Sequence, residues 1–339
     1  MRNFFFPVAD STIYSEFPLQ NAGFDEIISV GKTNSGEDIA RAVLDFDFIA
    51  LSQSVQLQQI PPNAEFDLRL YMANATNVSR MQSIIVCPLS QSWSEGQGYF
   101  YQNVVQETDG VSWTYRTSGS SWDITGSSYY ASPTASAIMP IPLGDVVVNV
   151  TPLVQQFISG AFFDGILVKY PTEDESDTLN NGLLSFFSKD THTVYSPVLV
   201  AKWDDSMYNT GSLASASMFS LSVHPRNLSP TYKVGEQTRI DLSVREQYPV
   251  KQFATQFTAF AGNQYLPSSS YYSIVDVQSQ EVIIPFDTYS LISTDFNGSY
   301  FNLRIEKMFP RRFYKVMIKV VGSGYEYIFD NNYQFTISL

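Results

Sequence analysis

The sequence predicts an all-β chain folded as two sandwiches, a larger N-terminal one and a smaller C-terminal one of Ig-like size, on three observations. Aromatic residues make up 15% of the 339 positions, with 25 Phe and 21 Tyr, against 16% charged residues, a balance that suits pleated, half-buried surfaces. Short apolar or alternating runs recur between turn-forming clusters, as strands require. A polar, small-residue stretch, Asp204 to Ser212, separates two series of such runs. The expected division is therefore residues 1–203, a linker at 204–214, and a second sandwich at 215–339.

In chain order, the first series of strand-like runs is Thr12–Tyr14, Glu26–Lys32, Arg41–Phe48, Glu65–Ala73, Gln82–Cys87, Asp145–Asn149, Gly165–Tyr170, Gly182–Phe187 and Pro197–Trp203. In Arg41–Phe48 the carboxylates of Asp45 and Asp47 alternate with Leu44, Phe46 and Phe48, which places acids outward and an apolar face inward. One helix is expected at Val150–Gly160: Thr151 as N-cap, Pro152 in the first turn, apolar Leu153, Val154, Phe157 and Ile158, and Gly160 as the stop. The second series is Phe219–Val223, Thr238–Arg245, Phe257–Phe260, Glu281–Ile284, Tyr300–Lys307, Tyr314–Val321 and Tyr333–Ile337, with turns expected at Asn297-Gly298 and at Asp330-Asn331-Asn332.

A net charge of −13 and a pI near 4.5 oppose contact with nucleic acid, which needs a basic stripe to displace counterions. The single cysteine, Cys87, lies in Ile84-Ile85-Val86-Cys87, so no internal disulfide forms and an inert, buried thiol is expected. No charged leader with an apolar stretch and no membrane-length apolar run is present, so the chain is expected to be made and assembled in a cytoplasm, without membrane contact.

Residues able to carry chemistry are sparse. His192 and His224 are the two histidines, too few and too separated for a nitrogen-ligated metal site; no metal and no cofactor is expected from them. Gly119-Ser120-Ser121 and Gly126-Ser127-Ser128 read as turns rather than a nucleophile elbow, and no phosphate-cradling glycine motif occurs. Glu95, Glu107, Asp109 and Asp123 are the carboxylates to weigh for glycoside hydrolysis, with solvated loop acids as the ordinary reading. The run Glu173-Asp174-Glu175-Ser176-Asp177 offers oxygen ligands for Ca²⁺, against the ordinary reading of a solvated acidic hairpin loop. Trp93, Trp113 and Trp122 lie in a loop-like stretch rich in Ser, Gly and Tyr, where they either close the end of a sandwich, line an interface or stack on sugar rings. Phe4, Phe5 and Phe6 form an apolar N-terminal arm that needs a docking surface in its own domain or a neighbour. Arg311 and Arg312 after Pro310 read as an exposed turn pair.

Ala9-Asp10-Ser11-Thr12-Ile13, Ile28-Ser29-Val30-Gly31, Arg41-Ala42-Val43-Leu44-Asp45-Phe46-Asp47, Trp93-Ser94-Glu95-Gly96, Gly110-Val111-Ser112-Trp113, Trp122-Asp123 and Val150-Thr151-Pro152-Leu153-Val154, taken in order over residues 6–203, resemble the DNRLRE domain family. That resemblance implies a jelly-roll sandwich like those of carbohydrate-binding modules. Leu266-Pro267-Ser268-Ser269-Ser270-Tyr271-Tyr272, Asn297-Gly298-Ser299-Tyr300-Phe301, Pro310-Arg311-Arg312-Phe313-Tyr314 and Asp330-Asn331-Asn332-Tyr333 are similar to segments of virion structural proteins of tailed phages, including T4-like marine phages. Together the resemblances imply a non-enzymatic virion component in a neck, collar, tail or head-decoration position, a homo-oligomer binding other virion proteins. The alternative they imply is an adsorption protein that recognises host-surface glycans.

Overall fold

A computed structural model describes residues 1–33, 37–78, 82–100, 110–140, 143–161, 163–179, 181–216, 221–248, 264–305, 308–322 and 324–339. The fold is all-β and built of sandwiches, and the chain divides into two compact units: Phe4–Ala201, and Met1–Asn3 with Lys202–Leu339. No helix among the described residues is long and apolar enough to cross a membrane.

The first unit contains β1 (Arg2–Phe5, cut by the division), β2 (Pro7–Tyr14), β3 (Ile27–Thr33), β4 (Asp38–Phe46), α1 (Phe48–Gln56), β5 (Glu65–Leu70), β6 (Met72–Thr76), β7 (Ser83–Pro88), β8 (Tyr115–Thr117), β9 (Ser120–Ser121) and β10 (Ala135–Ile138). It continues with β11 (Val146–Asn149), α2 (Thr151–Ile158), β12 (Ile166–Lys169), α3 (Thr172–Ser176), β13 (Gly182–Phe187) and β14 (Val198–Lys202). One sheet runs β1-β14-β5-β11; the other runs β10-β7-β12-β4-β3-β13-β6, with β2 also paired to β4. Strand β5 alternates half-buried and buried residues, as a strand with one core face does, whereas β12 is buried at all four positions. The register explains why: Leu167 lies between Val43 and Cys87, and these three with Ile13 form one face covered by Leu89, Val111 and Trp122. Ala42, Leu44, Val86, Ile166 and Val168, at the alternate positions, are buried on the other face.

Several elements differ from the sequence expectation; the run expected as one strand over Glu65–Ala73 is split between β5 and β6, which belong to different sheets. The strand expected to reach Phe48 stops at Phe46; Asp47 accepts a hydrogen bond from the Ala50 amide (2.8 Å) and caps α1, which buries Phe48, Leu51 and Val55. Phe48, Phe157 and Phe163 then meet with ring centroids 5.0–5.4 Å apart, tying α1 to α2. Helix α2 forms where expected, but Val150 occupies the N-cap position; the Thr151 hydroxyl instead accepts from the Phe66 amide (2.8 Å) of β5. Phe4 and Phe5 are buried in β1 beside β14, and Phe6 is half-buried.

The second unit comprises β15 (Leu221–Pro225), β16 (Thr231–Lys233), β17 (Gln237–Glu246), β18 (Ser270–Asp276), β19 (Val282–Ile284), β20 (Ser293–Asp295), β21 (Gly298–Arg304), β22 (Phe313–Gly322) and β23 (Tyr325–Ser338). Its sheets, β15-β17-β21-β20 and β16-β23-β22-β18-β19, match the A-B-E-D and G-F-C arrangement of an Ig-like sandwich, with β16 added parallel to the last strand. Tyr314 at the start of β22 is fully buried and donates its hydroxyl to the Phe309 carbonyl (3.0 Å), the corner contact expected of that fold. Within this unit the Met1 ammonium donates to the carbonyls of Trp203 and Tyr289 and to Asp205, Arg2 pairs with Asp287, and the Tyr208 hydroxyl donates to Leu266 (2.8 Å).

Asn297-Gly298 turns the chain between β20 and β21. Asp330-Asn331-Asn332 does not turn: it lies inside β23, where the register slips between Val316 and Ile318 and Asn332 adopts φ 57°. Asparagine tolerates that left-handed conformation, so the same residues that favour a turn here form a bulge. Arg312 is not an exposed turn residue either, because its guanidinium holds both oxygens of buried Asp276. The expected strand at Phe257–Phe260 lies outside the described residues.

Candidate functional site

Trp93, Trp113 and Trp122, after β7, pack onto the large sheet rather than standing free of it. Trp122 is 5% exposed and donates its indole N–H to the Ser112 carbonyl (3.0 Å); Trp93, half-buried, donates to the Asp164 carbonyl (3.0 Å). The Trp113 ring lies under the Arg41 guanidinium, 4.9 Å from its centroid. Gly126, at φ +85°, passes so close that a Cβ would sit 2.7 Å from the Trp113 ring. The three tryptophans thus come together as a lid on one face of the sheet, with the indole N–H groups of Trp93 and Trp122 satisfied inside the protein. Cys87 lies in the same cluster, and burial pushes its thiol up to about 11, as expected of an inert core cysteine.

The acidic run at 173–177 is a correction. It forms α3, and Glu175, 7% exposed, accepts from Arg41 Nε and Nη2 (3.0 and 2.7 Å) and from Lys169 Nζ (2.7 Å). Lys32, fully buried, donates to the Asp174 carbonyl and to Asp177 Oδ1, both at 3.0 Å. The run is therefore not a solvated hairpin loop: it neutralises three cations that the sheet buries, and its inward carboxylates are committed to them. Sequence reasoning missed this because Lys32, Arg41 and Lys169 are scattered over three strands.

Two groups of side chains remain with unassigned chemistry. The first is a cleft of about 630 Å³ along β3, β4, β6 and β13, lined by Tyr14, Tyr99 and Phe100 together with Glu16, Asp25, Glu26 and Asp38. The Tyr14 and Phe100 rings stack at 4.2 Å. Burial raises Asp25 to about 6, opposed by the hydrogen bond it accepts from the Phe100 amide (3.1 Å). His192, close to fully exposed, stands 3.5 Å from Glu26, and His224 lies on β15 in the other unit.

The second group is Asp10, Glu95 and Asp190. Asn21 fixes the loop that bears Glu95, donating to the carbonyls of Glu95 (2.6 Å) and Val111 (2.8 Å) and accepting from the amide of Gly98 (2.7 Å). Glu95 in turn accepts from the Asp10 amide (2.8 Å), and Asp10 accepts from the Lys189 amide (2.6 Å). Of the carboxylates weighed for hydrolysis, Glu95 enters this cluster, Asp123 is exposed, and Glu107 and Asp109 lie outside the described residues. Asp10 enters the sequence reading only within the Ala9–Ile13 segment of the DNRLRE resemblance; its partners lie 85 and 180 positions further on, beyond any local pattern.

No protein-family model and no curated protein matches this chain. The DNRLRE and phage resemblances accordingly rest on the residues quoted for them.

Proposed function

We propose that this chain is a non-enzymatic structural component of a tailed-phage virion, made in the host cytoplasm and joined to neighbouring chains through strand β23. The observation that carries the reading is the outer edge of β23. β16 pairs with it only at Thr336–Ser338, so among the described residues no strand covers the outer side of the Tyr327–Asn332 segment, where Tyr327 and Ile328 are exposed. Charges that would keep such an edge apart are neutralised within the hairpin, Lys319 pairing with Glu326 (3.3 Å) and Lys315 with Asp330 (2.7 Å). A long edge with apolar side chains and neutralised charges is a template for strand addition from a second copy or another virion protein. The test is incorporation of an Ile328→Lys, Tyr327→Lys variant during particle assembly. The expected variant melts like the parent yet is missing from purified particles; incorporation at the parental level, or absence of the parent from particles, contradicts the reading.

The cleft on the first unit favours a second reading, adsorption to host-surface glycans. Flat Tyr14, Tyr99 and Phe100 beside carboxylates supply apolar faces and hydrogen-bond acceptors in a volume that accepts a few sugar rings. A glycan array separates the two: binding lost in Tyr99→Ala with folding intact supports adsorption, and silence across host glycans removes it.

A further inference from the structure

We propose that Asp10, Glu95 and Asp190 form a binding site for one hard divalent cation, Ca²⁺ in kind, which staples three distant segments of the first unit. One carboxylate oxygen from each residue lies within 4.8 Å of the other two, a spacing that lets a single ion touch all three at the roughly 2.3–2.6 Å of Ca²⁺–oxygen bonds. All the donors are oxygens, the set that hard cations select.

A second observation points to the same ligand. Asp10 is 1% exposed, and its Oδ1 has no hydrogen-bond partner, while its Oδ2 accepts from the Lys189 amide. An orphan carboxylate oxygen in a buried position is costly unless something positive reaches it. The nearby Lys189 ammonium does not supply that charge: it pairs with Glu95 (3.2 Å) and Asp190 (3.0 Å) and leaves Asp10 Oδ1 unpartnered. Three carboxylates against one ammonium leave an excess of two negative charges when all are ionised, which a divalent ion balances. Glu95 and Asp190 are only partly buried, so an ion has a route in from solvent.

The site is distinct from the acidic run at 173–177, whose inward carboxylates already hold Lys32, Arg41 and Lys169. It joins β2, the loop after β7 and the segment after β13, which meet only in the folded chain, so an ion that binds there favours the folded state by mass action and appears as added stability.

The full chain, stripped with EDTA, is titrated with CaCl₂ and followed by thermal melting and calorimetry, with MgCl₂ in parallel. The expected result is one saturable Ca²⁺ site per chain and a rise in Tm. Asp190→Asn, at a half-exposed position that leaves the fold intact, weakens binding at least about tenfold, and Asp10→Asn abolishes the Tm shift. Lys189→Gln retains or strengthens binding, because it removes a competing cation. No heat and no Tm shift in the stripped parent overturns the proposal, as does an undiminished shift in Asp190→Asn, which places the ion elsewhere. Should Asp10→Asn fail to fold, Glu95→Gln with Asp190→Asn decides the matter alone.

Discussion

Trp122 shows how a residue's neighbours decide its role. Its ring lies in a cluster with Ile13, Val43, Cys87, Leu89, Val111 and Leu167, and its N–H is satisfied by Ser112. Trp122→Ala is expected to destabilise the chain by about 3–5 kcal/mol in denaturant unfolding, the range for losing a large core aromatic; a change within about 0.5 kcal/mol is the signature of a surface position and contradicts this placement. Asp25 carries a pH signature. Its folded-state value of about 6 lies above the 3.8 of an unperturbed aspartate, so between those values the folded state holds a proton that the unfolded state has released. Stability therefore falls as pH rises through that window. Asp25→Asn, which retains an acceptor for the Phe100 amide, is expected to lose less stability than the parent between about pH 4 and pH 6 in urea titrations; parallel profiles contradict the assignment. From the sequence, Trp122 was legible as a large aromatic among turn residues that needs cover, but its place over one face of the sheet rather than at an open end of the sandwich was not legible. The cluster of Asp10 with Glu95 and Asp190 was not, because nothing local links residues so far apart.

Among the elements, strands were legible wherever apolar residues alternate between turn formers: β3, β5, β7, β13, β17 and β22 all fall on runs marked by that pattern. Failures have identifiable physical causes. Helix α1 is short, with apolar Phe48, Leu51 and Val55 at a spacing that overlaps the end of a strand-like run, and its signal was the capping aspartate, Asp47. Strand β18, Ser270–Asp276, was masked by serines that suit turns, yet Ser270 and Ser273 are buried in it. Helix α3 carries the sharpest expectation at this scale. Glu175→Gln leaves the buried Lys169 and the largely buried Arg41 without a full counter-charge, and breaking such a pair costs about 3–5 kcal/mol. Glu173→Gln, on the exposed side of the same helix, stays within about 0.5 kcal/mol. Equal effects of the two changes in chemical denaturation contradict the view of α3 as an internal counter-ion.

For the whole molecule, a net charge of −13 makes copies of the chain repel one another, so the proposed association depends on surfaces where charge is locally cancelled. The β22–β23 hairpin is such a surface, since each of its two acids, Glu326 and Asp330, has a lysine partner on the adjacent strand. Its bulge at Asp330–Asn332 ends the open part of β23, short of the residues that β16 covers. The all-β architecture was readable from composition and periodicity, and the Ig-like order of the second unit became evident only from the strand pairing. The cleft and the acidic cluster both arise where separate loops converge, which is a property of the tertiary fold.

The most direct test of the assembly account is cryo-electron microscopy of the purified parent particle at a resolution that traces the chain. The account predicts this chain in the particle with the Tyr327–Asn332 edge of β23 hydrogen-bonded to a strand of a neighbouring chain. A particle that lacks the chain, or one in which that edge faces solvent in every copy, contradicts it.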